Sequence, residues 1–541
     1  MSGRTEGGAV PPTYLARWAA KALLLVILLL LSPLPALAHA TLISSNPVDG
    51  SVIAATPADV TLQFNEPVSP TDLKLVTPAG AITPLSDARA ENASIVVPLP
   101  PLEHGTHLVS WRAVSADGHP VGGSLVFSVG APSQGALPTL PDGLGDSERA
   151  AMWLSRLASY LGLFLGVGGA FFLAIIAPEA RARWTSMPFV AVGLLALPMA
   201  LALQGLDALG STLGSVLDPA AWRAGFATSY GATAAIAFAA LLLAAGSLCV
   251  RPVPLRRSLA TVALLGVGSA LAASGHASAA APQGLMCPAV FLHAVSIAFW
   301  IGALMPLGML LAGRDPGAGV ALRRFSAVIP LVVAALAISG ATIAVVQVEQ
   351  PAALASTRYG QILLAKLALV AVLLGMAAYN RWELTKPAAQ GSQTASKGLG
   401  RSALIEAGLA AVILALAAGW RFTPPPRVLA IEAAKPAFTH IHIGTAMADV
   451  SVAPGRVGEV EVLVFPMHPD MRPLEAKEVI VEFSLPEAGV EPLRRKAERI
   501  ETGGWTAELA LPLPGAWTVK LEVMVSDFDK VTMDAPVEIR P

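Results

Sequence analysis

Long apolar segments separated by short polar loops fill the middle of the chain, from about Trp153 to Trp420. Each segment is close to the ~20 residues that an α-helix needs to cross the hydrocarbon core of a bilayer. The pattern therefore predicts eight membrane-spanning helices, at residues 153–177, 187–210, 226–249, 257–275, 286–312, 325–347, 361–380 and 402–420.

Basic residues alternate between the predicted loops. The first, third, fifth and seventh loops carry Arg181, Arg183, Arg251, Arg256, Arg257, Arg314, Arg323, Arg324, Arg381, Lys386, Lys397 and Arg401. The remaining loops carry Arg223 and Arg358. Because cytoplasmic loops are enriched in Lys and Arg, this bias predicts that both ends of the chain face the periplasm or the cell exterior.

Short runs of alternating apolar and polar residues flank the predicted membrane domain, residues 151–421. The block at 39–130 contains "VTLQFNEPV", "THLVSWRAVS" and "GSLVFSVG", separated by turn clusters such as "NPVDGS" and "TPAG". The block at 430–541 contains "EVEVLVFPMH", "KEVIVEFSL" and "AWTVKLEVMV". A period of two predicts β-strands, hence a small all-β barrel or sandwich in the first block and a sandwich-like domain in the second. Residues 131–150, rich in Pro, Gly and Ser, are predicted to be a linker.

Residues 1–38 have the organisation of a secretory signal peptide. Two basic residues precede an apolar core at 22–31, and the small-x-small motif "ALA" ends at residue 38. The core is shorter than a membrane span, and Pro33 and Pro35 interrupt it, which favours cleavage over an uncleaved first helix. Cleavage after residue 38 makes His39 the first residue of the mature protein.

Composition narrows the class of protein. Of the 541 residues 54% are hydrophobic and 13% charged, which indicates a multi-span membrane protein. A net charge of −1 gives no basic field for nucleic acid, and no GxxxxGK[ST] loop for a nucleotide is present. The two cysteines, Cys249 and Cys287, lie in apolar segments and cannot build a disulfide framework or a CxxC-type zinc site. Metal chemistry would therefore depend on His, Met, Asp and Glu.

A histidine at the mature N-terminus offers its amine and its imidazole to one metal ion. In "SADGHPVGGS", Asp117 and His119 are two residues apart, so on an extended strand both side chains share a face. With His39 they provide three nitrogens and one carboxylate oxygen, a tetragonal set that suits Cu(II).

The stretches "HATLISSNPVDGS", "LQFNEPV" and "WRAVSADGHPVGGSLVFSVG" resemble the periplasmic copper-binding CopC family across essentially all of residues 39–130. The resemblance implies a small Greek-key β-barrel that binds Cu(II) through His39, Asp117 and His119, with Glu66 at or just outside the copper. Some members also hold Cu(I) in a methionine-rich loop. Residues 39–151 contain no methionine, so a second, cuprous site in this domain is not expected. The neighbouring histidines His104 and His107 are expected at the surface.

The stretches "GHASAA", "FLHAVSIAFWIGALMPL" and "RFSAVIPLVVAALAISGATIA" resemble CopD, the inner-membrane partner that is often fused to CopC. Ionisable groups inside a span usually mark a pathway. His276, at the outer end of the fourth span, and His293, inside the fifth, are therefore predicted to line a copper route together with Met286 and Cys287. Such soft ligands suit Cu(I). The alternative is that methionine fills gaps in the core and that the histidine hydrogen-bonds across helices.

The last block contains two further motifs with metal-binding side chains. In "FTHIHIG", His440 and His442 have strand spacing, so both are expected to face one side. In "FPMHPDMRP", Met467, His468 and Met471 form a soft-ligand cluster. These residues are predicted to bind Cu(I) or to hold copper transiently. The alternative is a β-domain whose histidines occupy ordinary outward positions.

These features predict a copper-transport protein of the inner membrane rather than an enzyme. The exported domain would capture Cu(II), and the bundle would move copper inward after reduction to Cu(I), with a periplasmic chaperone or reductase as a partner. Two alternatives stay open. A copper monooxygenase could use the histidine chelate, although Asp117 would fill the copper plane. A haem-binding electron carrier could use His276 and His293, although their depths differ.

Overall fold

The computed structural model describes residues 42–540, apart from 48, 50, 65–66, 116–119, 134–144, 181–182, 470–471, 501–502 and 527–528. Two β-sheet regions flank a helical bundle within the part of the chain described. This architecture confirms the predicted multi-domain fold class. The predicted signal peptide, its cleavage site and most of the predicted linker lie outside the described residues.

The first β-domain consists of two sheets. Its strands are β1 (Leu42–Asn46), β2 (Ser51–Ile53), β3 (Asp59–Phe64), β4 (Val68–Val76), β5 (Ile82–Pro84), β6 (Arg89–Glu91), β7 (Ser94–Pro98), β8 (Gly105–Ser115) and β9 (Pro120–Val129). The sheet orders are β1-β3-β7-β6 and β2-β9-β8-β4-β5. The pair β2–β9 is parallel, whereas the other pairs described are antiparallel. Neighbours that are distant in sequence, such as β4 and β8, hold the domain together.

Alternate apolar residues fill the space between these sheets. Phe64 of β3 is buried, and its ring meets that of Trp111 on β8 edge-on at 5.2 Å. Burial of each such side chain contributes about 1.5–3 kcal/mol. Gly123 of β9 lies opposite Trp111, and a Cβ at this position would stand 2.7 Å from the indole. The glycine therefore allows the indole to lie across β9.

The expectation that His107 lies at the surface is wrong. Its side chain is fully buried, its ring stacks on Phe127 at 5.8 Å, and Nε2 is 2.9 Å from the carbonyl oxygen of Glu103. The physical reason is the period of two along β8, which turns residue 107 inward together with Trp111. His104, which precedes the strand, is exposed as expected.

Eight helices are long and apolar enough to cross a membrane within the described residues, in agreement with the predicted spans. They are α1 (Asp146–Ile176), α2 (Trp184–Leu209), α3 (Ser229–Cys249), α4 (Val253–Ala272), α5 (Gln283–Ala312), α6 (Ala318–Val348), α7 (Arg358–Ala389) and α8 (Gln393–Ala430). Shorter helices at Pro219–Ala227, His276–Ala279 and Ala353–Ser356 lie in the connections. Segments Gly162–Val167 and Phe172–Ile176 of α1 and Asn380–Leu384 of α7 are π-helical.

Some helices extend beyond the predicted apolar segments and include basic residues that the sequence assigned to loops. Helix α6 begins seven residues before the predicted span, at Ala318, so that Arg324 lies within the helix. The Arg324 guanidinium donates to the carbonyl of Ile176 (3.2 Å), and that of Arg256 donates to the carbonyl of Pro178 (2.9 Å). Carbonyls at the end of a helix lack partners within the helix, and cations are favourable there. The basic residues therefore also tie together one end of the bundle.

Helix α5 lies at the centre of the bundle. It packs against α1 where Gly168 and Gly302 meet, because a Cβ on Gly168 would lie 3.0 Å from the Cα of Gly302. It packs against α8 where Gly308 and Gly400 meet. Such small residues allow close approach of helices in membranes, where packing rather than the hydrophobic effect drives association.

The second β-domain is a pair of antiparallel sheets. Its strands are β10 (Ala437–Ile443), β11 (Ala446–Ala453), β12 (Gly458–Met467), β13 (Glu478–Leu485), β14 (Val490–Lys496), β15 (Glu498–Arg499), β16 (Trp505–Leu511), β17 (Gly515–Met524) and β18 (Lys530–Ile539). The sheet orders are β10-β11-β12-β16-β15 and β14-β13-β17-β18. Inward residues such as Val462, Phe483 and Trp517 form a core between them.

Both β-domains lie at the same end of the bundle. The first contacts the carboxyl end of α2, and the second follows α8, where Arg427 donates to the carbonyl of Ala281 between α4 and α5 (2.6 Å). Strand β1 of the first domain also contacts strand β10 of the second. The arginine contacts at Ile176 and Pro178 lie at the opposite end. This arrangement agrees with the alternation of basic loops in the sequence.

Candidate metal-binding sites

All four residues predicted for the first copper site lie outside the described residues: His39, Glu66, Asp117 and His119. The strands from which these segments continue are described, and their ends are neighbours. Leu42 of β1 pairs with Phe64 of β3, and Val68 of β4 pairs with Ser115 of β8. The residues just before Glu66 and just before the Asp117–His119 segment therefore belong to one end of the first β-domain, and so does the strand that follows His39.

That end of the first β-domain is docked on the membrane bundle. The Thr71 hydroxyl donates to the carbonyl oxygen of Ala208 (3.0 Å), and the Arg112 guanidinium donates to that of Asp207 (3.0 Å). Val114, one residue before the end of β8, packs in an apolar cluster with Ala208. Strand β8, the last described element before Asp117 and His119, thus ends beside the contact with α2.

Asp207, which accepts the hydrogen bond from Arg112, also joins two helices of the bundle. The side chain of Asp207 forms an ion pair with Arg421 of α8, while its carbonyl accepts the bond from Arg112. The two ion-paired side chains keep only 15% and 26% of their accessible surface. Partly buried ion pairs are sensitive to the loss of one partner, because an uncompensated charge remains. One residue therefore couples the β-domain, α2 and α8.

Within the bundle, His293 of α5 faces α6. Its Nδ1 is 3.3 Å from the Ser339 hydroxyl oxygen, and the Ser339 hydroxyl itself donates to the carbonyl of Ala335 (2.7 Å). The hydroxyl oxygen can therefore accept a hydrogen bond from Nδ1–H, which leaves the lone pair on Nε2. A Cβ on Gly340 would lie 3.0 Å from Cε1 of His293, so the ring rests against the α6 backbone. Such a held imidazole is oriented in the way metal-binding histidines usually are.

The other predicted pathway residues lie at or near the amino-terminal end of α5. Met286 is fully buried. The Cys287 thiol donates to the carbonyl of Ser278 (3.3 Å), which lies in the short helix His276–Ala279. His276 is the first residue of that helix, beyond the end of α4. Met286 and His293 are seven residues apart, about 10 Å along the helix axis. The described backbone therefore brings the start of the short helix next to the first turns of α5.

Two further ionisable residues of the bundle, Lys366 and Glu406, do not pair with each other. Instead, the Lys366 ammonium lies 4.7 Å from the centre of the Trp420 ring. Glu406 accepts a hydrogen bond from Asn380 at the start of the π-helical segment of α7 and lies near the Ser402 hydroxyl. The helical rotation of α7 and α8, which decides these partners, is not encoded in hydropathy.

The predicted residues of the second β-domain are brought together in part. His440 and His442 are both exposed on β10, as their spacing predicts, and Met467 is the last residue of β12. His468 follows in a turn where its backbone N–H donates to the carbonyl of Arg472 (2.8 Å). Met471 lies outside the described residues. Over the described residues, no three His, Cys, Asp or Glu side chains form a group that could hold a metal ion.

Three family models match consecutive parts of the chain. The model described as "CopC domain" matches residues 42–130. "Copper resistance protein D-like, N-terminal domain" matches residues 146–286, and "Copper resistance protein D" matches residues 319–420. The matches therefore cover the first β-domain and most of the helical bundle, in the order that the sequence predicted.

Individual proteins show the same similarity. Copper transport protein CutJ of Bacillus subtilis (strain 168) is 28% identical over 392 residues, which cover 66% of this chain and 70% of that protein. Copper resistance protein C of Xanthomonas campestris pv. juglandis is 38% identical over 105 residues, 17% of this chain and 82% of that protein. The crystal structure of CopC from Methylosinus trichosporium OB3b is 26% identical, with a TM-score of 0.16, and covers 18% of this chain and 99% of that chain.

A β-domain docked on eight apolar spans defines an integral membrane protein with a binding module at one end of its bundle. The chain belongs to the CopC family through its first domain, and it carries the CopD domain in the same polypeptide. The resemblance drawn from the sequence motifs is thereby confirmed.

The docking contact makes a direct prediction. Combining Arg112→Ala with Thr71→Ala removes two hydrogen bonds, each with a net contribution of about 1 kcal/mol, and should release the first β-domain from α2. Spin labels on Thr83→Cys and Leu217→Cys, in a protein whose native cysteines are replaced by serine, should then change from a narrow to a broad distance distribution. The exposed Arg89→Ala is the matched control and should keep the narrow distribution. A narrow distribution in the double variant would contradict the docking.

Proposed function

We propose that this protein captures Cu(II) at the docked end of its first β-domain and moves copper, as Cu(I), inward through the bundle. It binds and transports copper, as membership in the CopC and CopD families implies. The proposal that Cu(II) is captured there and passed to the bundle rests on the position of the docked end. Strand β8 ends at Ser115, two residues before Asp117, on the side of the β-domain where Thr71 and Arg112 bind the end of α2.

The proposed capture site is a tetragonal Cu(II) centre. Its ligands are the amine and imidazole of His39, the carboxylate of Asp117 and the imidazole of His119, with Glu66 at or beside the metal. Three nitrogen donors and one oxygen donor favour Cu(II). The amine exists as a ligand only after cleavage behind residue 38, so the site would mature outside the cytoplasm.

Transfer into the bundle would follow the addition of one electron to the bound Cu(II). The electron would come from an external one-electron donor, a periplasmic reductase, and a periplasmic copper chaperone would be a source of the ion. Reduction changes the preferred ligands from nitrogen and oxygen to sulfur. Met286 and Cys287, at the outer end of α5, and His276, in the adjoining short helix, would receive the Cu(I) ion. His293, about two turns further in, would be the next ligand, through Nε2.

This role sets the orientation and the domain boundaries that we propose. Residues 1–38 would be the signal peptide, 39–130 the capture domain, 131–150 the linker, 151–421 the membrane domain and 430–541 the second β-domain. Both β-domains would lie in the periplasm, and the bundle in the inner membrane. The relatives described above are named as copper transport and copper resistance proteins, which supports a role other than catalysis.

The chelate at the N-terminus can be tested on the full-length protein. His39→Ala, or one extra residue between the cleavage site and His39, should weaken Cu(II) binding at least about 100-fold, or about 2.8 kcal/mol. Competition with a Cu(II) chelator measures the affinity. His104→Ala, an exposed histidine of the same domain, should bind as tightly as the unmodified protein. Unchanged affinity after both alterations at residue 39 would refute the chelate.

The membrane ligand can be tested by copper uptake into cells. His293→Ala should reduce copper accumulation several-fold at equal protein level, because the route loses its held imidazole. Met309→Leu is the control on the same helix, since Met309 is 46% exposed on the outside of the bundle. Its uptake should match that of the unmodified protein. Equal accumulation by the His293→Ala variant would remove this residue from the route.

A further inference from the structure

Three adjacent strands of the second β-domain place metal-binding side chains in one row. In the antiparallel ladder, His442 of β10 lies opposite Met447 of β11. Met447 in turn lies opposite Met467 of β12. Residues directly opposite in an antiparallel pair share a face and have Cβ atoms about 4.5–5.5 Å apart. The imidazole and the two thioethers are therefore consecutive neighbours across the sheet.

The row lies on the outer face of the sheet. The residues that alternate with it, such as Ile441 and Ala448, point into the core and are buried. His442 is exposed, Met467 is half-buried, and Met447 between them keeps 9% of its accessible surface. Methionine commonly fills gaps in a core. These two methionines instead lie beside a histidine on the face opposite the core, and neither belongs to the apolar core of the sandwich.

The adjacent row supplies an oriented second histidine. His440 lies opposite Asp449, and its Nδ1 is 2.6 Å from the carboxylate oxygen. A carboxylate bonded to one ring nitrogen fixes the orientation of the imidazole and leaves Nε2 for a metal, which is the usual arrangement behind metal-binding histidines. His440 and His442 are two residues apart on β10, so both rings stand on the same face.

We propose that His442, Met447 and Met467 bind a Cu(I) ion, with His440 as an adjoining ligand oriented by Asp449. Thioether and imidazole donors select Cu(I) over hard cations such as Mg²⁺ and Ca²⁺, which require oxygen ligands. Met447 was not among the residues that the sequence motifs indicated. The ladder alone places it between the histidine and Met467.

The position of the row indicates its role in copper transfer. Strand β10, which carries both histidines, contacts strand β1 of the first β-domain. Strand β1 begins at Leu42, three residues after the proposed ligand His39. This role rests on the proposed function: the row would hold copper that has already been reduced, beside the capture domain and outside the bundle. No electron transfer occurs at the row itself.

Cu(I) binding by the full-length protein tests the site. Under anaerobic conditions, a coloured Cu(I) chelator competes with the unmodified protein, with the double variant Met447→Leu/Met467→Leu, and with Met524→Leu. Leucine is close to methionine in volume, so the fold should be retained. Met524, half-buried on the outer face of the other sheet, is the matched control.

The double variant should bind one Cu(I) equivalent fewer than the unmodified protein, or bind that equivalent at least 100-fold more weakly. Met524→Leu should retain it. X-ray absorption should show fewer sulfur neighbours of copper in the double variant. Equal Cu(I) stoichiometry, affinity and sulfur coordination in all three proteins would overturn the proposal. The Cu(II) affinity of the double variant should remain unchanged, so failure of the capture site at His39 would be recognised separately.

Discussion

The contact between Arg112 and Asp207 is the interaction on which the placement of the first β-domain against the bundle depends. Arg112 belongs to the first β-domain, and Asp207 lies near the end of α2, where its carboxylate also binds Arg421 of α8. Because the side chains of Asp207 and Arg421 are largely shielded from water, each needs the other to offset the cost of its desolvation. The contact therefore holds three parts of the chain at one place. That place is also where strand β8 ends, just before the segment with the proposed ligands Asp117 and His119.

The proposed transfer of copper depends on a change in the metal-donor atoms from one proposed site to the next. The proposed capture site has nitrogen and oxygen donors, whereas the sites proposed on α5 and in the second β-domain have sulfur and imidazole donors. Since nitrogen and oxygen donors suit Cu(II) and thioethers suit Cu(I), reduction weakens the hold of the first set and strengthens that of the second. The π-helical segment Gly162–Val167 of α1 contacts α5, and such segments are frequent at functional sites.

The periodicity of hydrophobic residues predicted the helices and strands well, but it did not predict which side chains contact each other. Runs of about 20 apolar residues identified all eight spans, and alternation identified the strands, because both patterns are local. The rotation of neighbouring helices decides that Asn380 is the partner of Glu406, and strand register decides the neighbours of Met447, so neither follows from a local pattern. His107 is the reverse case. The alternation of residues along β8 places it on the buried face, so its burial could have been predicted from the sequence.

Directional copper flux tests the central claim, inward transport from a docked capture domain, most directly. A copper-sensitive dye trapped inside spheroplasts would report entry of copper supplied outside with a reductant, and copper-loaded spheroplasts would report exit. The account predicts that the protein accelerates entry, that His39→Ala reduces the acceleration at low copper, and that exit stays unchanged. Faster exit with unchanged entry would contradict the account and assign the protein to copper export.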